Sequence, residues 1–296
     1  MTHNHSTALI LLGPTASGKS RLALKIADAL KGVLINADSM QVYKNFPILS
    51  ACPSDEDFEQ CPHRLYGVFD LEKNEQCSAS KWAALAQSEI QQAFDQGKLP
   101  ILVGGTGFYI KALLEGLSPI PEIPSGVRET LSNILQNDRE REKLYRHLQE
   151  TDPETARKVN VSDTQRLTRA LEVLLHTGKP LSFWNSQPQK TLMNINYRII
   201  TLTPERETLY QTINERAKKM LEQGAIEEVK SFVKKNVKVS TIGYGEIRAY
   251  LEGTMTQEAM LDKLQQKTRN YAKRQTTWIR HQIHADLTID PLRIRD

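Results

Sequence analysis

The stretch Gly13-Pro14-Thr15-Ala16-Ser17-Gly18-Lys19-Ser20 holds the residues of this 296-residue chain best suited to chemistry. It follows the apolar run Ala8-Leu9-Ile10-Leu11-Leu12 and precedes Arg21-Leu22-Ala23-Leu24-Lys25-Ile26-Ala27. A buried strand, a glycine-bearing turn and an amphipathic helix are therefore expected in that order, which is the P-loop arrangement of nucleotide- and ATP-binding proteins. Gly13 and Gly18 let the backbone curl so that consecutive N–H groups face one concavity. That concavity lies at a helix N-terminus, whose dipole favours an anion. Lys19 brings an ammonium to phosphate oxygens, and the Ser20 hydroxyl suits Mg²⁺. A chance match in a Gly/Ser loop is the alternative, and the flanking strand and helix patterns speak against it.

The identity of the phosphate ligand depends on the neighbouring strands. Val33-Leu34-Ile35-Asn36-Ala37 reads as a strand ending in Asp38-Ser39, which sets a carboxylate beside the loop if the two strands are neighbours in a parallel sheet. The next strand, Pro100-Ile101-Leu102-Val103, ends in Gly104-Gly105-Thr106-Gly107. An energy-coupling NTPase would carry a carboxylate on such a strand. Glycines and a hydroxyl there favour a phosphate that is substrate or leaving group, and disfavour a motor or switch.

Six ordered blocks make a resemblance specific. They are the loop itself, then Asp38-Ser39-Met40-Gln41-Val42-Tyr43, then Leu102-Val103-Gly104-Gly105-Thr106-Gly107-Phe108-Tyr109. They continue with Asp163-Thr164-Gln165-Arg166-Leu167-Thr168-Arg169-Ala170-Leu171-Glu172-Val173, Ile242-Gly243-Tyr244-Gly245-Glu246 and Thr268-Arg269-Asn270-Tyr271-Ala272-Lys273-Arg274-Gln275-Thr276-Thr277-Trp278. In order and spacing they resemble the bacterial tRNA dimethylallyltransferases, also called tRNA isopentenyltransferases. The resemblance implies transfer of a dimethylallyl group from dimethylallyl diphosphate to N6 of adenosine 37, next to the tRNA anticodon. Mg²⁺ would be required and diphosphate released.

The family pattern also implies roles. Asp38, Thr106 and Lys19 would be catalytic, Asp38 as the base that takes a proton from the weakly nucleophilic adenine amine. The loop residues 13–20 and Arg216 would hold the diphosphate and the charge growing on it, with Ser20 on the metal. Arg216 sits in the family's Arg-x-x-x-Met segment, Arg216-Ala217-Lys218-Lys219-Met220. Asp38, Ser39, Met40, Gln41 and Thr106 would meet the target nucleotide, and Arg128 with Gln165, Arg166, Leu167, Thr168 and Arg169 the anticodon stem-loop. A stacked base cannot reach the phosphate site, so it would be flipped out.

Plainer readings stand beside these. Asp38 is also suited to ligating Mg²⁺ or capping the Ser39 and Met40 amides, and Thr106 to capping the helix that follows. Arg216 would by pattern be a solvated-face residue, and Arg169 a salt-bridge partner of Glu172. After Tyr43 the match loosens: Ser50 and Cys52 stand where the family has a Thr and a Lys. A small-molecule kinase, or an RNA-binding protein that retains only the fold, are the rival functions. The glycine block and the basic C-terminal helix fit the kinase poorly, and the joint presence of Lys19, Ser20, Asp38 and Thr106 speaks against the RNA-binding protein.

Length allows one large or two modest domains. No segment approaches the ~20 apolar residues of a membrane span, and the start lacks the basic region of a secretion signal. A cytoplasmic enzyme without membrane attachment, working as a monomer, is expected. Cys52, Cys61 and Cys77 are odd in number and lack metal-site spacing; His3 and His5 read as tail residues. Net charge is only +4, but Lys267, Arg269, Lys273, Arg274 and Arg280 fall in an acid-free run with Tyr271 and Trp278. Such a run suits RNA phosphates and stacked bases, although the helical spacing of the two aromatics equally fits a core.

The elements that must position these groups alternate strand and helix. Strands are expected at 9–12, 33–37, 65–69, 101–103, 197–202 and 285–289. Helices are expected at 18–30, 80–96 and 108–114, from 204 to a stop near Gly224, and from 242 to 284. The fold is thus α/β, a P-loop parallel sheet flanked by helices, with a helical insertion domain. Residues 1–118 and 196–296 would form the catalytic core. Residues 119–195, entered through Pro119, Pro121 and Pro124, would form the helical tRNA-binding insertion.

Overall fold

The computed structural model describes residues 6–189, 193–235, 237 and 239–291, so His3 and His5 lie outside it. The chain divides into two compact units, Met1–Leu114 with Leu192–Asp296, and Glu115–Thr191.

In the first unit six strands form one sheet: β1 (Thr7–Leu12), β2 (Gly32–Asn36), β3 (His63–Arg64), β4 (Leu99–Gly104), β5 (Asn196–Leu202) and β6 (Leu287–Ile289). Their order is β3-β2-β4-β1-β5-β6, and every pairing is parallel. Parallel strands are covered on both faces, which is why β1, β2 and β4 are nearly unbroken apolar runs rather than alternating ones. The helix Lys19–Leu30 buries Ala23 and Ala27 among Leu11, Leu34, Ile101 and Val103, small side chains that let it lie close to the strands. The helix Ala79–Asp95 is opened by Ser78, whose side chain accepts from Lys81 N–H, and it buries Trp82, Ala83, Ala86, Ile90 and Ala93.

Two expectations, the strand at 65–69 and the unbroken helical run from 242, are corrected, and two further points are settled. β1 and β2 are not neighbours, because β4 lies between them. The strand expected at 65–69 is absent; Leu65 (φ 63°) and Gly67 (φ 60°) turn the backbone out of the extended region, leaving the two-residue β3 and one bridge between Tyr43 and Phe69. The stop near Gly224 (φ 99°) is real, but a further helix, Ala225–Lys230, starts there. The run from 242 is two helices, Tyr244–Leu251 and Gln257–Gln282. Gly253 (φ 72°) separates them, and Thr256 caps the second through Ala259 N–H.

The second unit is helical: Ser125–Ile134, Asp138–Thr151, Pro153–Ala156, Thr164–Thr177 and Leu181–Asn185. Leu131, Leu135, Leu148, Val159, Leu167, Ala170 and Leu171 form its core. Buried Asp152 caps Thr155 N–H and also accepts from Ser182 N–H, tying the last helix to the turn before the third.

Candidate active site

The loops that leave β1, β2 and β4 emerge at the same edge of the sheet, the C-terminal ends where α/β proteins bind ligands. Backbone hydrogen bonds stitch them together. Gly13 N–H donates to Gly104 C=O at 3.4 Å, Ala37 N–H to Val103 C=O at 2.8 Å, and Thr106 N–H to Ala37 C=O at 3.1 Å. Position 104 has to be glycine for this, since a Cβ there would lie 2.1 Å from the Ala37 carbonyl oxygen. Through this stitching Asp38 reaches the P-loop from two strands away.

The left-handed turn of the loop is taken by Ala16 (φ 63°) and Gly18 (φ 83°). Gly13 serves differently from the curl expected of it: a Cβ there would meet Leu202 Cβ and Ser17 Oγ at 2.9 Å, so its role is close approach. Lys19 folds back over the loop, donating to Pro14 C=O at 2.7 Å. Burial lowers its pKa to about 8, with Asp38 opposing the shift and Arg216 adding to it. Ser20 is exposed at the first turn of the helix.

Arg216 is not on a solvated face. It projects from the helix Arg206–Glu222 and donates to Thr15 Oγ1. Burial depresses its pKa, while Asp38 works against that. Two cations and one carboxylate thus share a half-buried space, where charge interactions exceed those in water.

Asp38 is held in place by its neighbours. Its N–H donates to Asn36 Oδ1 at 2.8 Å, Asn36 Nδ2 donates back to its C=O at 3.1 Å, and its Oδ1 accepts from Met40 N–H at 2.9 Å. Asn36 is fully buried and also donates to Leu65 C=O at 3.0 Å, while its own C=O accepts from Trp82 Nε1 at 2.8 Å. Trp82 stacks on Tyr109, with ring centroids 4.8 Å apart. Thr106 does not cap the helix Gly107–Glu115 with its side chain; its Oγ1 accepts from Ser39 N–H at 2.9 Å and donates to Ser39 Oγ at 3.2 Å. Gln41 is engaged by its own loop, donating to the Ser50 and Ala51 carbonyls at 3.0 and 2.6 Å. Ser50 and Cys52, in the divergent segment, lie Oγ to Sγ 3.2 Å apart.

Beside these polar groups lies a pocket with one apolar side, its remaining lining including Ser50, Thr241 and Thr268. Thr15, Asp38, Arg216 and Tyr271 stand among its lining residues with Leu49, Ile213, Ala217, Met220, Ile242 and Leu264. Tyr271 is half-buried near Asp38, Thr106 and Ser39, and burial pushes its phenol pKa up. It lines the pocket, whereas Trp278 lies against Gly107 as a packing residue. The basic run on the same helix is partly used internally: Arg269 donates to Asn214 Oδ1 at 2.6 Å, and Lys267 pairs with buried Glu246.

In the second unit Arg128 makes a two-pronged pair with Glu172, Nε to Oε2 at 2.8 Å and Nη2 to Oε1 at 2.7 Å. Arg169 Nη1 donates to the same Oε1 at 2.6 Å. Glu172 is wholly buried; burial pushes its pKa up, but the two arginines outweigh that and hold it low. Leu167 and Thr168 turn into the core, Thr168 Oγ1 donating to Thr164 C=O, so their side chains face away from solvent. Gln165 and Arg166 are exposed.

Asn36 and Gln275 were not singled out from sequence. A polar residue at the end of the apolar run Val33-Leu34-Ile35 was a signal for the first. For the second, Gln275 shares a helix face with Tyr271 and Trp278, four residues after one and three before the other.

Among the described residues no group of three or more His, Cys, Asp or Glu is placed to hold a metal ion, and no helix is long and apolar enough to cross a membrane. A parallel α/β sheet with two cations, a carboxylate and a partly apolar pocket gathered at one loop edge is the class of protein that fold and site define. Comparison with known proteins makes this particular. The sequence profile of the IPP transferase family matches residues 41–282. The tRNA dimethylallyltransferase of Paramagnetospirillum magneticum is 41% identical over 293 residues, covering 97% of this chain and 92% of that protein. Among solved structures, the full-length tRNA isopentenylpyrophosphate transferase from Bacillus halodurans matches with a TM-score of 0.67 and 32% identity, over 96% of this chain and 89% of that one. A eukaryotic dimethylallyltransferase acting on tRNA matches with a TM-score of 0.74 and 28% identity, over 93% of this chain and 70% of that one. The chain belongs to the IPP transferase family.

Proposed function

We propose that this protein transfers the dimethylallyl group of dimethylallyl diphosphate to N6 of adenosine 37 in the tRNA anticodon stem-loop, releasing diphosphate. The observation that carries the reading is the meeting of Asp38, Thr15 and Arg216 around the partly apolar pocket, with Lys19 close enough to feel the charge of both Asp38 and Arg216. The five-carbon group suits Leu49, Ile213, Ala217, Met220, Ile242 and Leu264. The diphosphate suits the loop 13–20 with Lys19 and Arg216.

In the reaction the adenine N6 lone pair forms a C–N bond to the allylic carbon as the C–O bond breaks, its electron pair leaving on the diphosphate oxygen. Lys19 and Arg216 hold that growing charge as fixed cations, so little reorganisation is needed when it appears. Asp38 takes the N6 proton. Its backbone is pinned on both sides by Asn36 and its Oδ1 by Met40 N–H, which aims the carboxylate before substrate arrives. Thr106 and Tyr271 flank the nucleotide's approach, Thr106 holding the Ser39 amide. Mg²⁺ fits this donor set: one hydroxyl, Ser20, together with substrate phosphate oxygens is how Mg²⁺ is commonly held. When bound it would add charge neutralisation on the diphosphate.

The helical unit, residues 119–195 in the sequence reading, is the proposed tRNA-binding insertion, with Arg128, Gln165, Arg166 and Arg169 on the stem-loop. The protein is proposed to act as a monomer, and tRNA as the proposed substrate supports work in the cytoplasm. The test is transfer of radiolabelled dimethylallyl from its diphosphate to unmodified tRNA with Mg²⁺, read by nucleoside analysis, with ATP hydrolysis and acceptor phosphorylation assayed in parallel. Label on adenosine N6 is expected, with Asp38→Ala retaining diphosphate affinity and losing about 10²- to 10⁴-fold in turnover. Phosphorylation without label would make the protein a kinase. Near-normal turnover in Asp38→Ala would remove Asp38 as the base.

A further inference from the structure

The long helix Gln257–Gln282 places one amide side chain between the two halves of the site. Gln275 is 5% exposed. Its Oε1 accepts from Thr15 N–H at 2.8 Å, and its Nε2 donates to Gly105 C=O at 3.0 Å. Thr15 lies on the loop after β1 and Gly105 on the loop after β4, so one planar group ties together backbones from separate strands. Position 105 is open to this only as glycine, because a Cβ there would lie 2.1 Å from Gln275 Nε2.

Each backbone partner is one step from a group the reaction uses. Thr15 Oγ1 is the acceptor for Arg216, on the leaving-group side. Gly105 precedes Thr106, whose Oγ1 takes the N–H of Ser39 next to Asp38, on the acceptor side. The Thr15 amide is used by Gln275, so this N–H serves to locate the loop, as do those of Gly13 and Ser17, which donate to the Gly104 and Pro14 carbonyls.

We propose that Gln275 is a positioning residue for group transfer, setting the separation between the Thr15–Arg216 edge and the Thr106–Asp38 edge. The inference rests on the proposed prenyl transfer. Each substrate meets mainly one edge, so each binds without the bridge. The in-line meeting of amine, allylic carbon and leaving oxygen depends on both edges at once, and a misplacement of about 1 Å can cost on the order of 100-fold in rate. A Gln that merely stabilises the fold would instead lower the melting temperature and leave the folded enzyme's kcat alone.

Two variants separate these. Gln275→Met keeps the length and loses both hydrogen bonds. Gln275→Glu keeps the acceptor for Thr15 but has a donor for Gly105 only while its carboxyl is protonated. In the labelled-transfer assay, Gln275→Met is expected to lose roughly 10- to 100-fold in kcat, with KM for tRNA and for dimethylallyl diphosphate each within about 3-fold of wild type. The kcat of Gln275→Glu, taken as a ratio to wild type at each pH, should recover as pH falls through the pKa of the introduced carboxyl, whereas the Gln275→Met ratio stays flat. If Gln275→Met does not fold, Gln275→Glu carries the test through its pH profile. Wild-type kcat in Gln275→Met, or a flat ratio in Gln275→Glu, overturns the inference. A wild-type protein that transfers no dimethylallyl group overturns the function beneath it, and is told apart because the wild type itself is then inactive.

Discussion

Lys19 offers the sharpest test of the site's electrostatics. Burial lowers its pKa from the usual 10.5 to about 8, against the attraction of Asp38 and with the repulsion of Arg216. With that value the ammonium is populated ~90% at pH 7, ~50% at pH 8 and ~10% at pH 9 in the free enzyme. If only the charged form holds diphosphate, affinity falls ~10-fold between pH 7 and pH 9, and binding at pH 8 takes up about half a proton. A lysine at its usual pKa would lose only about 3% over the same range. Stability of the ligand-free fold runs the opposite way with pH. Lys19 titrates lower in the fold than in the unfolded chain, so the ligand-free protein gains stability as pH rises from about 8 towards 10.5. The assay is calorimetric titration with inorganic diphosphate and Mg²⁺ at pH 7, 8 and 9, repeated in buffers of different ionisation enthalpy to count protons. Lys19→Arg, which does not titrate in this range, carries the pH dependence of diphosphate's own ionisation, so the wild-type affinity and proton uptake are read relative to it. A wild-type to Lys19→Arg ratio unchanged from pH 7 to 9, with no extra proton uptake, would refute the description of Lys19 as a desolvated cation beside Arg216.

Two further outcomes follow from packing and charge. Ala217 is buried in the helix that carries Arg216 and lines the apolar side of the pocket. Ala217→Leu should crowd that pocket by about 1–3 kcal/mol, raising KM for dimethylallyl diphosphate roughly 10- to 100-fold. Affinity for inorganic diphosphate should be unchanged in the same variant; parallel losses in both would count against the pocket as the seat of the dimethylallyl group. In the helical unit, Glu172→Ala leaves Arg128 and Arg169 without their shared buried carboxylate. Because both arginines reach solvent, the loss should sit near about 3 kcal/mol, read by denaturant unfolding. Glu172 titrates below its usual range, so this stabilisation is present at neutral pH and is lost as pH falls through its depressed pKa.

Much of this protein was legible in the order of its residues. The P-loop motif, the parallel α/β class, the helical character of the inserted unit and the family all rest on local pattern. Apolar runs of strand length, helical stripes such as Trp82-Leu85-Ile90, and motif blocks are properties of short stretches, and they survive being read one at a time. Boundaries failed where single backbone angles decided them, as at Leu65 and Gly67 in the expected strand. What the tertiary structure alone decided was adjacency. Sequence reading made the closeness of Asp38 to Lys19 depend on neighbouring strands; the sheet inserts β4 between them, and three backbone hydrogen bonds with a bare Gly104 restore the approach. Arg216 read as a surface cation because its helix neighbours are charged, yet the fold turns it onto Thr15, 201 residues away in sequence. Gln275 looked like one polar residue in a basic helix until the fold set it between Thr15 and Gly105, 260 and 170 residues distant. Local interactions select elements and motifs, whereas a site assembled across such separations exists only once chain topology has brought its parts together.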